Sequence, residues 1–307
     1  VALFGYLAPA YAMPPTWTET DLVRAEHHQL NIQFDSLVTL RGYTIHNETI
    51  TPNGRLQIDL YWEVLNQPPG DYWLFVHLID EGGMVTQRDT HPGLGKFPAS
   101  QWRPGDRFID TIWLPIPATA YPATADLHIG LYAPNSYRLG VSSPTGGFLG
   151  DSYILDQIEI VETEDGRLPN HQDLNFAPYV RLLDYTYLSE RTLTAGDTLE
   201  IALNWEMLQA DLDGQLSRVV VTSGDGSIYI ESDVPLEDLP ISEQANQRNA
   251  IHTIDITDNM PQDSYTVSVV LIDIFTQNRA TIIAEDGHWI DDQLPLASFS
   301  VSSSIAD

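Results

Sequence analysis

The chain alternates apolar and polar residues with a period of two from Asn31 onward. In LQIDLYWEV (56–64), Leu56, Ile58, Leu60, Trp62 and Val64 share one face, and Gln57, Asp59, Tyr61 and Glu63 share the other. That period belongs to half-buried β-strands. Turn signals bound the runs: PNG at 52–54, QPPG at 67–70 and EGG at 81–83. Their spacing, with no ten-residue helical stretch after position 31, predicts antiparallel β-sandwiches of immunoglobulin-like or jelly-roll type. Trp62 and Trp205 fall on the apolar faces and are expected to anchor the cores.

The pattern occurs twice. ITPNGRLQIDLYWEVL (50–65) aligns with LTAGDTLEIALNWEML (193–208), with seven identical pairs among them Trp62/Trp205 and Glu63/Glu206. Upstream, FDSLVTLRGYT (34–44) matches FAPYVRLLDYT (176–186). Downstream, DTIWL (110–114) matches HTIDI (252–256), and LHIGLY (127–132) matches VSVVLI (267–272). The reading is an all-β chain of two tandem domains related by an internal repeat. They span 31–162 and 174–304, joined by a charged Gly/Pro linker at 163–173. Residues 16–30 read as a polar tether. Residues 1–15, VALFGYLAPAYAMPP, are uncharged and apolar. They are too short to cross a bilayer alone and read either as the outer end of a transmembrane helix or as an apolar arm packed on the domain.

Composition narrows the function. The 307 residues carry 43 acids against 14 bases, a net charge of -29, and no cysteine. Disulfide scaffolds and zinc–thiolate sites are therefore excluded. The basic face a nucleic-acid binder needs is not supplied. Lys96 is the only lysine.

Chemistry-bearing patterns are sparse. His77, Asp89 and His91 could orient a base, but no G-x-S-x-G elbow marks a nucleophile. The adjacent His27 and His28 do not share a helix face. DLDG (211–214) and SGDGS (223–227) look superficially suited to calcium. The twelfth position from Asp211 is Thr222 where an EF-hand needs Glu, so both read as turns, leaving a structural Ca²⁺ of another kind open and no other cofactor expected. Exposed aromatics make a better candidate surface. Tyr61, Trp73 and Phe75 are expected to face away from the Trp62 side, and Trp102 lies in the loop HPGLGKFPASQWRPGDR (91–107). Tyr61, Trp73, His77, Asp89, His91 and Trp102 form the predicted glycan-binding set. The competing reading buries this face under the long loop or the second domain.

The order of LAPAYAMPP, NIQFDSLVTLRGYTI, YWLFVHLIDEGGMVTQRD, FPASQWRPGDRFIDTIWLPIP and LHIGLYAP resembles one known family. It is similar to the C-terminal extracytoplasmic region of bacterial multi-pass membrane glycosyltransferases, the polyprenyl-phosphate-sugar-dependent, mannosyltransferase-like kind. The resemblance covers residues 5–162 well and the second copy more loosely. It implies β-sandwich modules outside the membrane, anchored through a segment before Val1. The family's catalytic part lies in its membrane bundle, so no catalytic residue carries over. The expected role is a non-catalytic accessory region that binds or presents glycan. Holding neighbouring surface proteins is a further role open to that region, and the alternative is a structural cell-surface protein whose sandwiches self-assemble into a layer or filament.

Overall fold

The computed structural model describes residues 13–23, 28–134, 137–164, 174–210, 212–239, 246–284 and 286–303. Strands dominate, and no α-helix occurs among the described residues. The chain is an all-β protein of antiparallel sheets with two short parallel pairings.

The first half contains β1 (His28–Phe34), β2 (Val38–Ile45), β3 (Thr49–Ile50), β4 (Arg55–Val64), β5 (Trp73–Asp80), β6 (Gly83–Thr90), β7 (Arg107–Pro115), β8 (Ala123–Tyr132), β9 (Val141–Ser142), β10 (Phe148–Gly150) and β11 (Tyr153–Ile160). One sheet runs β10-β9-β1-β2-β4-β7, and the other runs β3-β11-β8-β5-β6. Their inner faces share one core, in which Leu56, Ile58, Leu60 and Trp62 meet Leu74, Val76, Leu78, Leu127 and Ile129. The second half holds two further sheets over Leu174–Val301 with a separate core. Trp62 and Trp205 are both fully buried, and each meets a phenylalanine edge-on, Phe34 at 5.4 Å and Phe176 at 5.1 Å. The core-anchor expectation for both describes where they sit.

The outer face of β4 departs from the expected pattern. Tyr61 is buried, because Trp17 and Leu22 pack on it. Trp17 donates its indole N–H to the Trp62 carbonyl at 2.9 Å, and the guanidinium of Arg107 lies 4.7 Å from the Trp17 ring. Arg107 and Arg41 both pair with Glu63 and with Glu19. Residues 17–22, read as polar tether, therefore cover a sheet. Pro15 extends the same cover by accepting from the Ile109 amide at 2.7 Å. The first strand begins at His28, three residues before the predicted boundary. Residues 1–12, the body of the apolar stub, and residues 165–173 of the predicted linker lie outside the described residues, as does His27.

The two halves meet through the β5–β6 turn. Asp80 and Arg191 are both buried and pair at 2.7 Å. The Arg191 guanidinium also donates to the Ser298 carbonyl at 3.1 Å and lies over the Tyr121 ring. Ser264 donates to the Gly82 carbonyl at 2.7 Å. A Cβ on Gly82 would fall 2.0 Å from the Ser298 carbonyl oxygen. The EGG signal thus marks a turn that glycine also lets approach its neighbour closely.

Candidate functional site

Strand β5 is flanked by β8 and β6, so its outward residues stand beside theirs. Trp73 lies opposite Tyr132, Phe75 opposite Gly130, and His77 opposite His128 and Gln87. The inward residues Leu74, Val76 and Leu78 fix this register, because a one-residue slip would turn the apolar set to water.

Gly130 decides the shape of this face. A Cβ there would meet the Phe75 ring at 2.2 Å. The bare backbone lets the Phe75 ring lie flat across β8, where Arg138 covers it at 4.7 Å. Phe75, His77, Asp89, Tyr132 and Arg138 line a shallow hollow of about 310 Å³. Asp89 stands at its centre. One carboxylate oxygen accepts from the Tyr132 hydroxyl at 3.0 Å, and the other lies 3.2 Å from His77 Nε2. Each oxygen keeps a lone pair for a further donor. Burial and the bond to Asp89 hold the Tyr132 hydroxyl above its ordinary range, so it stays a neutral donor. Beside the hollow, the rings of Trp73 and His91 lie 4.2 Å apart, tilted by 36°, and Tyr132 lies nearly parallel to Trp73 at 6.3 Å.

Four of the six predicted site residues, Trp73, His77, Asp89 and His91, thus come together. The other two do not. Tyr61 belongs to the opposite sheet and is covered by Trp17. Trp102 is buried in the first core, its indole N–H bonded to the Phe97 carbonyl at 3.0 Å and its ring 5.2 Å from Phe108. Its loop position in the sequence gave no sign that the loop folds inward. Phe75 floors the site, and Tyr132 and Arg138 complete it. The signal for Tyr132 was available in LHIGLY, where the alternation sends His128, Gly130 and Tyr132 outward together.

Among the described residues, no group of three or more His, Asp or Glu side chains converges as a metal site. Asp225 accepts from Ser223 and the Ser227 amide, which lowers its carboxyl to about 2 and closes the 223–227 turn. Asp211 lies outside the described residues. No described helix is long and apolar enough to cross a membrane.

No family model matches the chain, and no curated protein matches it in sequence. Among solved structures, the chain is similar to the C-terminal domain of Wzt. That likeness has 13% identity and a TM-score of 0.31, and it covers 44% of this chain and 80% of that one.

Proposed function

We propose that this chain is a non-catalytic, glycan-binding accessory region of a glycosyltransferase-like protein, working outside the cytoplasmic membrane. The observation that carries the reading is the β5–β6–β8 face. An aromatic shelf of Trp73, His91 and Tyr132 adjoins a carboxylate, Asp89, held in place with one acceptor site free on each oxygen. Aromatic faces take the apolar face of a pyranose ring, and a fixed carboxylate accepts from two neighbouring hydroxyls. Neutral hexose glycans fit this chemistry, and no cofactor is needed for it. The family resemblance and the apolar segment Val1–Pro15 support a membrane-anchored location. They name the membrane and surface glycan as partners, with nucleic acid excluded by charge. Two tandem sandwiches built on one repeat give the module.

Calorimetric titration and a glycan array test this reading. Trp73→Ala and Asp89→Ala should each weaken binding about tenfold or more, about 1.4 kcal/mol, while the fold is retained. A folded protein that binds no glycan, or binding untouched by both substitutions, overturns it. A structural role is the second reading. Phe148, Phe275 and Trp289 are 77, 70 and 66% exposed on short edges and turns, and ordered self-assembly without glycan binding would favour it.

A further inference from the structure

Asp110 lies on the inward side of β7, with Phe108, Ile112 and Leu114. It is buried, and neither carboxylate oxygen has a well-formed hydrogen bond. A buried carboxylate without partners is costly when charged. His252, which the sequence repeat aligns with Asp110, is also buried but satisfied on both ring nitrogens by Ser217 and Ser232. The Asp110 site therefore lacks what its counterpart has.

What covers Asp110 is a short strap. A 3-10 turn at Pro92–Gly95 packs on β7, with Gly93 and Leu94 both at positive φ, 65° and 54°. A leucine in that region is strained. Pro14 wedges against Gly93. A cavity of about 290 Å³, lined by Met13, Pro14, Leu94, Lys96 and Ile109 among others, opens beside Asp110 and gives water a route in. At its far end the strap is fixed by Phe97, bonded to the buried Trp102. At its near end is His91, its ring packed against Trp73 at 4.2 Å and its Nδ1 buried without a partner.

The geometry points to a proton-controlled latch: with Asp110 neutral, the 91–97 strap closes over it and holds His91 against Trp73. Loss of that proton to solvent opens the strap and dismantles the shelf. The charged and titratable groups facing Asp110 do not remove the cost of its charge. Burial, the largest influence, raises its carboxyl from 3.8 to about 7. The Gly93 amide and Arg88 of β6 favour the charge, and Asp59 of β4 opposes it. Arg88 is also engaged with the Trp113 carbonyl. From the strap come His91 and Lys96, and the covering segment Met13–Pro15 brings no charge. The raised value means closure is favoured fully below the open-state value near 4. It is lost as pH rises to about 7, about tenfold per unit over that window.

Amide exchange reads the strap directly. The Gly95, Lys96 and Phe97 amides bond to the His91, Gly93 and Pro92 carbonyls. Corrected for intrinsic rate, their opening should rise about tenfold per pH unit from about 4.5 to 7 and then level off. In Asp110→Asn it should be independent of pH. Constant protection in the unsubstituted protein, or the same slope in the variant, overturns the latch. Should Asp110→Asn fail to fold, the Asp110 carboxyl is followed by carbon NMR in the unsubstituted protein, and titration near 3.8 overturns it equally. The link to ligand rests on the glycan reading, and mannotriose is the probe. If mannotriose does not bind while the strap opens with pH, the glycan reading fails and the latch stands. If it binds with pH-independent affinity while the strap opens, the coupling is overturned.

Discussion

Trp62 lies where both sheets of the first half meet, in edge contact with Phe34 and fully buried. Trp62→Ala should cost about 3–5 kcal/mol by removing the ring and leaving a cavity. Chemical denaturation of the whole chain checks this, and an unchanged midpoint would remove the anchor role. A second residue-scale prediction concerns His252. Burial lowers its imidazole to about 4, while the Ser232 carbonyl pulls the other way. Its bonds suit the neutral ring, with Nδ1 donating to Ser232 and Nε2 accepting from Ser217. The folded value lies below the ordinary 6.5, so its contribution is complete above pH 6.5 and is lost as pH falls to about 4. The loss is on the order of 3 kcal/mol. Stability measured against pH should fall across that window by more in the unsubstituted protein than in His252→Gln. Equal slopes would contradict the assignment.

At the scale of strands, the period-two pattern of 56–64 was legible because Leu56, Ile58, Leu60 and Trp62 all meet one core. What covers the other face was not. Alternation separates two sides of a strand but is silent on a cover supplied from a distant segment, and Trp17 supplies it for Tyr61. Trp102 was misplaced for a related reason: the loop it sits in is rich in Gly and Pro, yet folds over Phe108 and closes one end of the core. Trp73, His77, Asp89 and His91 could be placed because β5 and β6 are joined by a tight hairpin, so pairing follows from chain order. Gly130 gives a test at this scale. Gly130→Ala should push the Phe75 ring off β8, costing about 1–3 kcal/mol as an overpacked site. It should also disturb Arg138 and Tyr132 together. Glycan affinity should then fall while the remaining core stays intact, which amide exchange of β4 and β7 would show. Full affinity in that variant would mean the hollow does not need a flat Phe75.

For the molecule as a whole, the charge of -29 describes a solvated surface more than a partner, and the exceptions are the few basic groups drawn into contacts. Arg191 is the most buried of these. It joins the halves through Asp80 and the Tyr121 ring, while its bond to the Ser298 carbonyl lies within the second half. Asp80 also accepts from the Gly82 and Gly83 amides, so the β5–β6 turn and the second half share one polar centre. Removing one partner of a buried pair leaves the other charge uncompensated, typically costing about 3–5 kcal/mol. Arg191→Met should therefore separate the unfolding of the halves, turning one calorimetric transition into two. Adding Asp80→Asn should recover part of the loss, because the remaining buried group is then neutral and keeps its amide bonds. The contact also lies at the end of β5 remote from Trp73, so glycan affinity at the β5–β6–β8 face should stay unchanged in Arg191→Met. A single transition at the original temperature in Arg191→Met would show that the pair does not couple the halves, and the docking of the EGG turn would then rest on Ser264, which donates to the Gly82 carbonyl, and on Thr192 and Ser300, which donate to the Glu81 carbonyl.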